Sequence, residues 1–218
     1  MGAPIADELH PGPNPTPHST TALSAKRPKV RNFAAMPYAK VPDFMKRLAA
    51  SKMSASAKFA LQFLILTATR TNEVLNARWP EIDLKKALWT IPAERMKMGE
   101  THEVPLSPAV VKLLKSAKKN AGDAALLFPG PKAGKPLSNM VFLQALKRFN
   151  EPYTAHGFRS SFRDWAEEAT NHSHAVKEAA LAHRVRNKVE AAYRRTTLLE
   201  KRRALMTDWS TFAIRSGA

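Results

Sequence analysis

The 218-residue chain reads as a mainly α fold with a small antiparallel β-sheet. Three observations predict this. Apolar residues recur at three- and four-residue spacing along most of residues 41–213, the signature of helices with one buried face. Only two short β-type runs interrupt that pattern, and they sit close enough together to form a hairpin. Hydrophobic residues make up 44% of the chain, enough for a core, and no apolar run reaches the roughly 18 residues of a membrane span.

In chain order, residues 1–28 hold six of the 16 prolines among Gly, Ser, Thr and Asn, which predicts an extended or disordered leader over residues 1–36. KRPKVR (Lys26 to Arg31) is either a phosphate-touching stretch or a solvated linker. The folded part is expected over 37–218. Val41, Phe44, Met45 and Leu48 mark a first helix with Pro42 in its first turn. Ser54 to Thr69 is apolar nearly all round and predicts a buried central helix, and Thr71 to Ala77 a short third one. LWTI and HEVPL, within Ala87 to Ser107, flank a polar segment with Gly99 and predict a hairpin with a long tip. Ser107-Pro108 opens a helix to about Lys119. LLFPGPKAGKP reads as a short strand and a Pro/Gly loop. Helices then follow over about 138–149, 155–170, 174–182, 187–195 and 197–213. In the last, Leu198, Leu205, Trp209 and Phe212 form an apolar stripe that packs either within the chain or on a neighbouring subunit.

The formal net charge is +17, with 35 Lys and Arg against 18 Asp and Glu. It is spread over the chain, +5 in residues 1–53, +7 in 54–154 and +5 in 155–218. A polyanion such as nucleic acid is the expected partner; excess charge that serves only solubility is the alternative. Cysteine is absent, which excludes disulfides, thiolate metal sites and a Cys nucleophile and suits a reducing cytoplasm. No secretory signal opens the chain.

Several polar residues stand where chemistry could occur. In TAHGFRSSFRDWAEEA, Phe158, Phe162, Trp165 and Ala169 form the core stripe at 100° per residue, with His156, Arg159 and Arg163 on its border. A half-buried guanidinium there binds an oxyanion well, and His156 and Arg159 could grip one phosphate. A capping or core role for His156 and an i, i+4 pair of Arg163 with Glu167 are the simpler readings. Arg70 follows the buried helix, where it either pairs with Glu73 or the preceding carbonyls or clamps a second phosphate oxygen. Asn187 and Glu190 read as a capping box for a helix carrying Tyr193, with His183 just ahead of it. Tyr193 is an ordinary packing tyrosine or, among Arg and His groups, a nucleophile toward phosphorus. His172 and His174 have no third ligand at usable spacing, so no metal site is expected.

Taken in order, Arg70 with TNEV, the lysine of MKMGETHEVPLS, HGFR, LAH and AAYRRT resemble the catalytic domain of tyrosine recombinases, and most nearly the integrases of prophages and genomic islands. The resemblance runs from about Pro37 to Phe212. It implies a mostly helical catalytic domain with a small sheet and metal-free, cofactor-free strand exchange on double-stranded DNA through a 3′ phosphotyrosyl intermediate. Carried over by residue, Arg70 and Arg159 would bind the scissile phosphate, and Lys97, beside Gly99, would protonate the leaving 5′ oxygen. His156 would bond the phosphate or exchange a proton with the tyrosine, and His183 would donate to a phosphate oxygen. Tyr193 would be the nucleophile, and Glu73 an acid supporting Arg70. The resemblance also implies dimers or tetramers on DNA, accessory DNA-bending or directionality proteins, no membrane, and a place beside the nucleoid in a bacterial cytoplasm. Such integrases usually carry DNA-binding domains ahead of this one. Here only the leader precedes Pro37, so an isolated catalytic domain is expected. A non-catalytic DNA-binding remnant and a type IB-like topoisomerase are the alternatives.

Overall fold

The computed structural model describes residues 33–122, 124–183 and 197–215. Helix α1 (Val41–Ala50) carries Pro42 in its first turn, where no N–H is needed, and buries Val41, Phe44, Met45 and Leu48. α2 (Ala55–Thr67) buries Ala57, Ala60, Leu61 and every residue from Phe63 to Thr67. It runs through the core, as its near-complete apolar circumference requires. It ends at Ala68, which takes a left-handed conformation with φ 51°. α3 (Thr71–Leu75) starts three residues later.

The sheet is antiparallel in the order β1 (Ile82–Asp83), β2 (Leu88–Ile91), β3 (His102–Pro105). Trp89 of β2 stands opposite Ile82 and Val104, and Ile91 opposite His102. Period-two alternation buries Trp89 and Ile91 while Thr90 faces out, and Trp89 packs on Phe63 with ring centroids 5.0 Å apart. The two expected strands are thus present. β1 is an addition, because two residues carry no readable periodicity.

α4 (Pro108–Ala121) begins at Ser107, whose Oγ accepts the Val110 N–H at 3.3 Å, and packs along α2. The expected strand at LLF is not a strand. That stretch makes only isolated bridges, Arg78 with Leu126 and Pro129 with Pro136, because the prolines remove the donors a ladder needs. Three more helices follow: α5 (Val141–Arg148), α6 (Gly157–Ala169) and α7 (His174–Ala180). The helix expected at 187–195, with its Asn187–Glu190 capping box and Tyr193, lies outside the described residues. No helix among the described residues is long and apolar enough to cross a membrane.

α8 (Leu199–Ile214) packs within its own chain. Leu205 and Trp209 are fully buried, and the Trp209 indole N–H donates to the Ile65 carbonyl of α2 at 2.8 Å. Phe162 and Trp165 of α6 meet Trp209 at 5.5 and 5.1 Å, and Phe212 stacks on Trp209 at 5.8 Å. On α6, Phe158, Phe162 and Trp165 are buried as expected. Ala169 is exposed, however, and Ala166 takes its place in the core, because α6 ends at that point.

Residues 33–37 cross the first turn of α6. Thr154 N–H donates to the Ala34 carbonyl at 3.0 Å, and Met36 is buried. Gly157 is required there, since a Cβ on it would stand 2.2 Å from the Ala34 oxygen.

Candidate functional site

The candidate site forms where two helices end. α2 stops at Ala68 and α7 at the turn Leu181–Ala182, and both turns put an alanine in the left-handed region (φ 51° and 48°). At α7, the His183 N–H bonds the Glu178 carbonyl at 3.0 Å and the Ala182 N–H bonds the Ala179 carbonyl at 3.2 Å, a Schellman closure with Ala where glycine is usual. The carbonyls left over at these ends carry the negative pole of each helix.

Arg159, on α6, takes two of those carbonyls. Its Nη1 donates to Ala68 O and its Nη2 to Leu181 O, both at 2.6 Å, and Nη2 also reaches His183 Nε2 at 3.4 Å. The residue is 6% exposed, so it lies deeper than the border position its spacing suggested. Burial, and then the facing Arg70 cation, bring its pKa down to about 10, which leaves it charged at neutral pH.

Arg70 precedes α3. Its backbone N–H donates to Glu73 Oε2 at 2.8 Å and its Nη1 to Glu73 Oε1 at 2.9 Å, so Glu73 both closes the N-terminus of α3 and holds the guanidinium. Its Nη2 reaches the Ala182 carbonyl at 3.5 Å. The simple reading of Arg70 as the partner of Glu73 is therefore correct, but the second contact is with α7 rather than with the preceding helix. The two arginines converge on consecutive carbonyls, Leu181 and Ala182, of one turn.

His156 stands just before α6, its ring 4.5 Å from that of Phe33. Burial, then Arg159 and Arg70, hold its imidazole below the usual range, so it is neutral at pH 7. His183 closes α7, with Nδ1 3.0 Å from Glu178 Oε2. Burial is the largest influence on His183 and lowers its proton affinity, against the pull of Glu178. Arg70, Glu73, His156, Arg159 and His183 are thus brought together. Lys97 is not. It lies exposed on the hairpin tip, in the turn that Gly99 N–H closes on the Met96 carbonyl at 3.0 Å with Gly99 at φ 67°. Tyr193 lies outside the described residues.

Three nearby residues were not anticipated. Arg95, at the base of the hairpin tip, pairs with Glu81 and donates to the Glu73 backbone carbonyl, tying the Lys97 loop to α3. Glu81 also accepts the Trp89 indole N–H at 2.9 Å. His102, on β3, is pushed down to about 3 by burial and then by Arg202, Arg70 and Arg159. Glu178 bonds His183. Arg163 pairs with this Glu178 at 3.6 Å and not with Glu167, which instead binds Lys177 at 2.9 Å and His174 at 3.2 Å. His172 binds Asp208 at 2.8 Å.

What this arrangement offers is two guanidiniums converging on one turn, Arg70 bonded to the Glu73 carboxylate and Arg159 to backbone carbonyls, with two imidazoles alongside. Such a concentration of donors suits the non-bridging oxygens of a phosphate group, most of all where negative charge builds on them in a transition state.

Residues 35–198 match the family described as the Phage integrase family. Over 199 residues the chain is 38% identical to the prophage integrase IntZ of Escherichia coli K12, covering 90% of this chain and 48% of that protein. It spans about half the length of the curated relatives it matches. Among solved structures, an integrase from mycobacterium phage Brujita superposes with a TM-score of 0.63 at 19% identity, over 92% of this chain and 66% of that one. A lambda integrase from a tetramer bound to a Holliday junction superposes with a TM-score of 0.55 at 18% identity, over 76% and 52%.

Proposed function

Given that the chain belongs to the phage integrase family of tyrosine recombinases, we propose that residues 37–218 are the catalytic domain of a site-specific DNA strand transferase that integrates or excises a mobile element. The observation that carries this reading is the convergence of Arg70 and Arg159 on the Leu181–Ala182 turn, beside His156 and His183.

In this mechanism the scissile phosphodiester enters with its non-bridging oxygens against Arg70 and Arg159. The Tyr193 oxygen attacks phosphorus and gives up its proton, with His156, whose imidazole is held below its usual range, as the acceptor. The 3′ phosphotyrosyl bond forms as the P–O5′ bond breaks, and Lys97 supplies the proton that the 5′ oxygen takes. The charge that builds on phosphorus in the pentacoordinate state is met by the two arginines and by His183. One phosphodiester is exchanged for another, so no ATP and no metal enter the balance. Glu73 keeps Arg70 aimed. Lys97 stands exposed on the hairpin tip, and in this mechanism the tip moves toward the site as DNA is seated, which suits a proton donor that must act on a bound strand.

The charge of +17 supports double-stranded DNA as the partner. The lambda integrase tetramer bound to a Holliday junction supports assembly of this chain as dimers or tetramers on attachment sites; DNA-bending or directionality proteins as accessories, and a place beside the nucleoid in a bacterial cytoplasm, rest on family membership alone.

The test is a nicked duplex carrying the attachment core, whose cleavage traps the covalent adduct. The wild-type chain should give adduct and Tyr193→Phe none, with DNA binding retained in both. Adduct in the Phe variant would refute the nucleophile. Binding without adduct in the wild-type chain, over many candidate cores, would favour the non-catalytic remnant.

A further inference from the structure

Glu178 and His183 are five residues apart, a spacing at which two helical side chains would not meet. They meet because the left-handed turn at Ala182 reverses the chain and brings the residue after the turn back over the last turn of α7. Hydrophobic pairs commonly occupy these two positions of such a closure, whereas here they hold a carboxylate and an imidazole.

Two contacts fix the proton on the ring. Arg159 Nη2, 3.4 Å from Nε2, can only donate, so Nε2 is the acceptor. Nδ1 then carries the hydrogen and donates it to Glu178 Oε2 at 3.0 Å. The other carboxylate oxygen, Oε1, is buried and makes no hydrogen bond among the described residues. Its nearest cation is Arg163 at 3.6 Å, and that side chain is 48% exposed. A buried carboxylate oxygen left in this state is costly, and its charge remains available to the imidazole.

We propose that Glu178 is a positioning residue for the strand-transfer site, holding the His183 ring with hydrogen on Nδ1 and supplying the negative charge that lets Nε2 become a donor to a phosphodiester oxygen. When an anion enters, Arg159 Nη2 has a better acceptor than Nε2, and the freed nitrogen takes a proton from solvent. Both ring nitrogens then donate, one to Glu178 and one to the anion. The groups that face the ring are Glu178 on α7, and Arg159 and Arg163 on α6. His156 and Arg70 lie close by. Burial and the two α6 cations oppose the added proton, whereas Glu178 and an incoming phosphate favour it. Glu178 thus plays the part that a second carboxylate plays behind a metal-bound or catalytic histidine.

The inference rests on reading His183 as a phosphate-facing group, and the test separates the two. Nitrogen NMR of histidine-labelled chain, with the His183 signal assigned by its loss in His183→Asn, reports the tautomer directly. Wild-type His183 should show hydrogen on Nδ1 with Nε2 bare, and hydrogen on Nε2 would overturn the proposal whatever any variant does. Glu178→Gln keeps an oxygen for the Nδ1 hydrogen but removes the charge, so the His183 titration midpoint, measured in inorganic phosphate, should fall by about one pH unit or more. An unchanged midpoint would also overturn the proposal. In cleavage of the nicked duplex, Glu178→Gln should move the alkaline limb of the rate profile to lower pH while leaving DNA affinity unchanged. A shifted midpoint with an unshifted cleavage profile would sustain the Glu178–His183 pair and refute the phosphate-facing role of His183.

Discussion

His102 shows how far the cationic site reaches. It sits on β3 opposite Ile91, yet Arg202, Arg70 and Arg159 all act on it, and with burial they bring its imidazole down from 6.5 to about 3. In the unfolded chain this ring takes a proton as pH falls through about 6.5; in the fold it stays neutral until near 3. Between those values the unfolded state binds more protons, so the fold loses stability as pH drops through that window. His102→Asn removes the titrating group, and its melting temperature should fall less steeply than that of wild type between pH 6.5 and 4. Parallel curves from thermal melts would mean that His102 is not held neutral. Sequence gave no cue to this residue, because its neighbours Arg70, Arg159 and Arg202 come from three other elements. Arg163 illustrates the same point. An acid at i+4 made Glu167 its natural partner, but the packing of α7 on α6 presents Glu178 to it, and Lys177 with His174 occupies Glu167.

At the scale of elements, the site is assembled from helix ends. Arg159 is held by the carbonyls that close α2 and α7, and both ends use alanine in a conformation that costs an L-residue roughly 1–2 kcal/mol. Part of that cost returns when glycine, with its freer unfolded chain, replaces it. Ala182→Gly should therefore raise stability by about 0.5–1 kcal/mol, read as a higher urea midpoint with an unchanged slope. A lower midpoint would argue against the left-handed turn. The elements themselves were largely legible. α1, α2, α4, α6 and the β2–β3 hairpin follow from apolar periodicity and from Ser-Pro or Gly signals, which are local. What was not legible depends on long-range pairing. β1 exists only because β2 accepts it, and LLF fails as a strand because Pro129 and Pro136 leave it with isolated bridges. Among the site residues, Arg70 with Glu73 could be read from i, i+3 spacing. Glu178 with His183 required the Schellman turn, whose usual marker, a glycine, is absent from LAH.

At the scale of the whole molecule, α8 closes the structure. It lies against α1, α2, α7 and the sheet, and it delivers Trp209 to the centre of the core, where its N–H is bonded to Ile65. Replacing a fully buried tryptophan by alanine costs about 3–5 kcal/mol, and here the Ile65 carbonyl also loses its indole partner. Trp209→Ala should lower unfolding free energy by that amount in urea titration. A change below about 1 kcal/mol would mean that the helix is dispensable to the domain, as it would be if its apolar stripe served a neighbouring subunit instead. The Trp165 and Trp209 rings, 5.1 Å apart and tilted by 49°, also have an optical consequence. Two indoles this close and not parallel share their ultraviolet excitation, so their absorption bands split with opposite circular polarisation. That couplet depends on α6 and α8 being in place together, and it would give a dye-free optical gauge of whether the last helix is seated.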